Sequence, residues 1–398
     1  MITVAYSGVH EAFQIALAAH EAGKLEQFYT SLFDGPGKWG RRLAFILGEA
    51  VLINRRMPGL PPERVIELPI PFLRHRLGSG SSLTKNYYPW YQANFDFDRQ
   101  VAQKLRGNKS RIFIGTETCA YNCFQMATKL GMGKILDCPQ VHPAFLTEVF
   151  HRAANDLKIP LPPPFDPPEL ARRKQEEFAM ADKLLIISDV QRRSFINAGF
   201  RPEKLTQIPL WVDLSLWQPG AVRKTPHAEP LKVLFVGNVE LRKGIPYLIQ
   251  AVEQCSKDTS LTLAGINTGE TDSWIQKSKA EIKIVGRKNK AELKEIYQQH
   301  DVLVLPSLVD SFGFVALEAM ACGLPVIVTE NCGVPVPDPA WRVPIMDSNA
   351  IARRLEHYAM NRATLQHDGQ VAQQFVQQFT PEVYRSRVKE LLRELLKN

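Results

Sequence analysis

The chain has 398 residues, with 49 Lys and Arg against 41 Asp and Glu, for a formal net charge of +8. Its length suggests two domains of ordinary size, and its 45% apolar and 23% charged fractions exclude a disordered or collagen-like chain. The moderate positive charge favours acidic partners such as nucleotide diphosphates or anionic lipid headgroups. The six scattered cysteines, with no Cys-x-x-Cys pair, read as small core residues of a reducing compartment.

The start, Met-Ile-Thr-Val-Ala-Tyr-Ser-Gly, lacks a basic head and apolar signal core, and reads as a first strand over Thr3 to Tyr6. Ser7 and Gly8 form a loop, and a helix follows from His10 to Glu21. The longest apolar window, Leu43 to Ile53, is interrupted by Glu49 and is too short to span a bilayer. Lys38, Arg41, Arg42, Arg55 and Arg56 flank it, with Trp39 at its start. This pattern suits a helix lying on an anionic membrane, and equally a helix packed on the first sheet with solvated ends. Gly78 to Ser82 has no P-loop Lys-Ser/Thr after it and reads as a linker. Asp96-Phe97-Asp98 resembles a metal-binding Asp-x-Asp, but its place at an expected helix start explains the acids through the helix dipole.

Strands are expected at Arg111 to Ile114, Lys134 to Asp137 and Ala181 to Ile187. The first leads into the loop Gly115-Thr116-Glu117-Thr118 and a helix ending at Leu130. The second leads into a stiff loop in which His142 stands between Pro139 and Pro143. The Pro-rich run Ile159 to Pro168 is irregular, and Trp217 to Pro230 reads as an interdomain linker. The second half alternates more cleanly. Strands are expected at Lys232 to Val236, Ser260 to Leu263 and Lys283 to Val285, with helices at Ile245 to Gln254 and Lys290 to His300.

The most informative stretch is 301–330. Val302 to Leu305 is a short apolar run fit for a buried parallel strand, broken by Pro306 and Ser307. Ser311, Phe312 and Gly313 lead into a helix over Phe314 to Cys322, which includes Val315 and is stopped by Gly323 and Pro325. Val326 to Val328 is the next strand. A loop at the carboxyl end of a parallel strand is where open α/β sheets bind ligands, and the free N–H groups of the following helix suit a diphosphate. Asp310 in the loop and Glu318 on the helix could each accept hydrogen bonds from sugar hydroxyls.

These residues closely resemble the donor-site signature of retaining GT-B glycosyltransferases, in particular glycosyltransferase family 4 (glycosyl transferases group 1). Phe312, Gly313, Glu318, Ala319 to Ala321, Gly323, Pro325 and Val326 match, while Asp310 stands in place of a Glu. Further matches cover most of the chain. In Val236-Gly237-Asn238-Val239-Glu240-Leu241-Arg242-Lys243-Gly244, Lys243 matches a lysine on the donor phosphates. Asn238 stands where that family usually has a second cation, an arginine, and Arg242 is a candidate replacement. Ala181-Asp182-Lys183 through Val212-Asp213 matches the crossover between halves, and Ile284-Val285-Gly286-Arg287 the segment beside the nucleobase.

The resemblance implies an α/β GT-B fold of two Rossmann-like domains facing a central cleft. The expected division is an acceptor domain over 1–212, a donor domain over 213–375 and a C-terminal helix over 376–398 packing back on the first domain. It implies a nucleoside diphosphate sugar as donor, a glycan or lipid-linked hydroxyl as acceptor, and no metal or other cofactor. The expected catalytic residues are His142, Asp310, Lys243 and Glu117. Gly237, Asn238, Arg242, Gly286, Arg287, Ser311 to Val315 and Glu318 complete the donor side, and Gly8 and His10 lie on the acceptor side. A cytoplasmic enzyme, with peripheral contact to an anionic membrane left open and no nucleic-acid partner, is expected. A sugar-phosphate-forming enzyme or a catalytically silent subunit or sugar-nucleotide sensor of the same fold is the alternative.

Overall fold

A computed structural model describes residues 1–9, 11–52, 54–78, 88–161, 163, 166–220, 229–255 and 259–397. Two parallel sheets organise them. The first contains β1 (Ile2–Tyr6), β2 (Leu25–Thr30), β3 (Val65–Glu67), β4 (Ile112–Thr116), β5 (Gly133–Asp137), β6 (Lys183–Ile186) and β7 (Leu205–Gln207), in the order β3-β2-β1-β4-β5-β6-β7. The second contains β8 (Leu231–Val236), β9 (Thr259–Ala264), β10 (Glu281–Ile284), β11 (Val302–Leu305), β12 (Val326–Thr329) and β13 (Arg342–Val343), in the order β10-β9-β8-β11-β12-β13. Helices α1 (Glu11–Glu21), α2 (Trp39–Leu47), α3 (Pro69–Gly78), α4 (Tyr88–Lys104), α5 (Tyr121–Lys129), α6 (Pro143–Leu157), α7 (Pro168–Met180) and α8 (Asp189–Asn197) accompany the first sheet. Helices α9 (Ile245–Gln254), α10 (Asp272–Lys277), α11 (Lys290–Gln299), α12 (Phe314–Ala321), α13 (Ser348–Met360) and α14 (Arg362–Phe375) accompany the second, and α15 (Pro381–Lys397) closes the chain.

Strand order fixes where ligands can enter. In the second sheet the chain moves outward from β8 to β10, then crosses back to β11. The carboxyl ends of β8 and β11 therefore flank a topological switch point, and their following loops splay apart to leave a crevice. The first sheet has the same switch between β1 and β4. Strands β11 and β12 are buried along their whole length, which explains their unbroken Val, Leu and Ile runs.

α15 lies against α1. Arg385 donates to Gln14 on α1 and pairs with Glu21 at 2.9 Å, and Lys389 pairs with Glu21 at 2.8 Å. Where the chain crosses between the halves, Val212 donates its N–H to the Phe379 carbonyl at 2.9 Å, and Trp211 packs on Tyr384.

Several sequence expectations change. Asp96 and Asp98 lie well inside α4 rather than in its first turn. Asp98 is fully buried, pairs with Arg173, and accepts from the Asn122 and Cys123 N–H groups at the start of α5, so it is a helix-capping structural acid. Trp217 is not in a loose linker: it is buried against Tyr297. Residues 79–82 and 221–228 of the two expected linkers lie outside the described residues.

The basic segment around α2 is also smaller as a surface than its sequence suggested. Lys38 donates to the Val65 carbonyl, and Arg41 pairs with Asp34 and Glu49. Arg55 is buried, donating to the Leu32 carbonyl and lying over Phe72. Trp39 (52% exposed) with Arg42 over its ring, Phe45 (94% exposed) and Arg56 face outward. Among the described residues no helix is long and apolar enough to cross a membrane.

Candidate active site

The loop after β8 is delivered by backbone bonds from Gly237 to the Ala264 carbonyl and from Val239 to the Ile266 carbonyl. It ends in a single 3-10 turn, Leu241–Lys243, and then Gly244 at φ +70° starts α9. A Cβ at 244 would collide with the Pro306 carbonyl oxygen, so glycine lets the β8 and β11 loops touch. The contact is completed by the Leu308 N–H, which donates to the Arg242 carbonyl at 3.0 Å.

That approach brings Lys243 Nζ to 2.5 Å from Asp310 Oδ2. Burial alone would raise the Asp310 carboxyl, yet the Lys243 ammonium holds it below its ordinary value. The backbone at Asp310 is fixed as well: its N–H donates to the Asn331 carbonyl, and Gly333 donates to the Asp310 carbonyl. Gly313, at φ +79° and without a side-chain cap, starts α12, which presents Phe314 and Val315 in its first turn. The helix mouth thus opens beside a carboxylate and an ammonium that are already paired. Phe312 is buried and meets the partly exposed Phe314 edge to face at 5.4 Å.

Beside this pair lies a cavity of about 330 Å³ lined by Gly237, Asn238, Gly265, Ile266, Arg287 and Lys288, among others. The backbone at Gly286, φ +69°, turns the chain after β10 so that Arg287 follows at the cavity wall. Arg242 is not among the residues lining this cavity. Its guanidinium pairs with Glu240 at 2.8 Å and reaches the Val309 carbonyl at 3.4 Å. Those contacts hold Arg242 off the cavity wall in this structure, while its charge still helps to lower the Asp310 carboxyl.

Glu318 faces α11 and accepts from the Tyr297 hydroxyl at 3.0 Å. Burial pushes its carboxyl up to about 7, with the Tyr297 bond pulling the other way. Tyr297, itself packed on Trp217, escaped sequence reasoning because nothing in a helical Tyr signals a partner one helix away.

The first sheet's loops meet this site at one edge. Val141 donates its N–H to Ser311 Oγ at 3.1 Å, and Arg193 of α8 donates to the Glu330 carbonyl and to Asn331 Oδ1. Val141, Val149, Ala153 and Val190 pack with Tyr247, Leu308, Val309 and Ile345 in one apolar cluster across the two halves.

His142 itself has another place. Its Nδ1 accepts from the Ala144 N–H as the N-cap of α6, its Nε2 lies 3.3 Å from Gln175, and its buried ring packs among Phe178, Phe195 and Phe200. Burial depresses its pKa. In this structure His142, expected as a catalytic residue, caps α6 and packs inside the domain, with both ring nitrogens engaged there. Glu117 likewise turns inward, 2.8 Å from a buried Lys174 that Asp166 also holds at 2.9 Å. Burial raises the Glu117 carboxyl, and the Lys174 charge opposes that. Glu117, expected as a catalytic residue, is thus buried against Lys174 in this structure. Gly8 packs on the Tyr6 ring, while His10 lies outside the described residues. Among the described residues no group of three or more His, Cys, Asp or Glu could hold a metal ion.

Residues 221–336 match the family described as Glycosyl transferases group 1. The chain is 29% identical over 202 residues to the putative colanic acid biosynthesis glycosyltransferase WcaL of Escherichia coli, covering 46% of this chain and 49% of that one. Across the curated relatives it matches first, the aligned part covers between 28% and 49% of the relative's length. In fold, the whole chain resembles sucrose-phosphate synthase from Thermosynechococcus elongatus, with TM-score 0.69, 19% identity and 100% and 99% of the two chains covered. It also resembles Anabaena HepE solved in complex with UDP and glucose, with TM-score 0.61, 15% identity and 99% of each chain covered.

Proposed function

We propose that this chain, a GT-B protein whose residues 221–336 belong to glycosyl transferases group 1, moves a sugar from a nucleoside diphosphate to a hydroxyl acceptor with retention at the anomeric carbon. The observation that carries this reading is the Lys243–Asp310 pair at the mouth of α12, on the β8/β11 switch point and beside the cavity at Gly237. There the Lys243 ammonium donates to the diphosphate as the glycosidic bond breaks, when its negative charge is greatest. Asp310 is then free to accept from sugar hydroxyls and Glu318 from the ribose. Front-face attack on an oxocarbenium-like centre lets the departing phosphate take the acceptor proton. The acceptor, a glycan or a lipid-linked hydroxyl, enters from the first sheet's loops. The exposed Trp39, Arg42, Phe45 and Arg56 support peripheral contact with an anionic membrane on the cytoplasmic side.

A thermal-shift panel of nucleoside diphosphate sugars tests donor binding, because a ligand specific to the native state raises stability with its concentration over Kd. Stabilisation by one donor, followed by release of its free nucleoside diphosphate during turnover, is the expected result. A donor that stabilises the protein but never turns over would identify a silent sugar-nucleotide sensor instead.

A further inference from the structure

We infer that Arg287 is the side chain that brings net positive charge to the donor diphosphate in this chain; the inference rests on the nucleotide-sugar reading above. A departing nucleoside diphosphate carries at least two negative charges, so its pocket needs a positive field rather than a neutral one. Three of the cations nearest Gly237 and Arg287 are already balanced. Lys243 pairs with Asp310 at 2.5 Å, Arg242 with Glu240 at 2.8 Å, and Lys288 with Glu292 at 3.4 Å. Residue 238, directly after Gly237, is a neutral asparagine. These three pairs sum to no net charge.

Arg287 is different. It lines the same cavity as Gly237 and Asn238, and among the described residues its guanidinium has no hydrogen bond or ion pair. Its exposure leaves it free to reorient toward a ligand, whereas Lys288 is held by Glu292, whose carboxylate also caps α11. A guanidinium fork matches two phosphate oxygens in a way that a lysine point charge does not. The cavity is also divided in character. Ile266, 48% exposed, and Leu293 supply apolar surface for a planar base, leaving Arg287, the Glu292-paired Lys288 and the Gly237–Asn238 backbone as the polar wall.

The test separates phosphate from base. UDP and uridine are titrated into the wild type and the Arg287→Gln, Arg287→Lys and Arg242→Gln variants by calorimetry, with ADP/adenosine and GDP/guanosine pairs run in parallel. Arg287→Gln is expected to weaken the bound diphosphate about 10- to 100-fold, the loss of one charge-assisted contact, and its nucleoside by less than about twofold. The salt dependence of diphosphate binding should flatten in the same variant, and Arg287→Lys should recover part of the affinity. Equal losses for nucleoside and diphosphate would make Arg287 a base contact and overturn the inference, as would a larger loss in Arg242→Gln. Wild-type diphosphate affinity in Arg287→Gln overturns the inference alone. A wild type that binds none of the three diphosphates overturns the nucleotide-sugar reading and this inference with it.

Discussion

Removing the Tyr297 hydroxyl is expected to move the pH dependence of nucleotide binding. Glu318, raised to about 7 by burial, is roughly half ionised at neutral pH, and ribose hydroxyls donate to the ionised form. Affinity should therefore fall as pH falls through 7, approaching about tenfold per pH unit below the midpoint. The Tyr297 bond at 3.0 Å favours the charged carboxylate over the neutral acid. A bond to a charged group contributes about 1.5–3 kcal/mol against about 0.5–1.5 to a neutral one, so losing it should raise the midpoint by about one pH unit. In Tyr297→Phe the ionised fraction at pH 7 drops from about a half to about a tenth, which weakens binding about fivefold, while at pH 9 the two proteins should nearly converge. The assay is calorimetric titration, from pH 6 to 9, of whichever nucleoside diphosphate stabilises the wild type. Coincident midpoints for wild type and variant would refute the reasoning, and so would affinity that rises as pH falls.

Three further outcomes follow from the same geometry. Asp310→Asn leaves Lys243 without its partner, so the variant should bind free nucleoside diphosphate at least as tightly as wild type while losing most turnover; loss of diphosphate binding, read by calorimetry, would contradict this. Lys174→Ala strands two buried or nearly buried carboxylates, Glu117 and Asp166, and should cost about 3–5 kcal/mol in urea unfolding, whereas a loss below about 1 kcal/mol would remove the network from the account. Replacing Trp39, Arg42, Phe45 and Arg56 together should abolish flotation with vesicles containing anionic lipid; a wild type that fails to float would rule out the membrane contact and favour a soluble acceptor.

The second half was legible because its signals are short-range. The apolar runs of β11 and β12, the breakers Pro306 and Gly313, and the acids at fixed offsets all lie within one strand–loop–helix–strand unit. The first half was legible mainly as long periodic pieces. β2 mixes Glu26 and Gln27 into its strand and so lacks an apolar run, while β3 and β7 are only three residues each and take their conformation from neighbouring strands. His142 and Glu117 sit on the loops where sequence placed them, but side-chain direction was set by long-range partners. α7 supplies Lys174 and Gln175, and three phenylalanines enclose the imidazole. No local pattern around residues 117 or 142 encodes that. The pairing of Arg242 with Glu240 is local, since the two residues share one turn, but an acid beside two adjacent cations does not by itself say which of them it holds.

The two crossings between the halves run side by side, joined at Val212 and Phe379 and backed by the Trp211–Tyr384 contact. A single tether would let one half swivel in any direction, but a bonded pair behaves as a door hinge. Separation of the two halves is channelled into rotation about one line, and the contacts of Ser311 with Val141 and of Arg193 with Glu330 must part as it proceeds. A protease cut in either crossing alone would leave the halves on the remaining one, so the nicked chain should still elute at its full size and come apart only after denaturation.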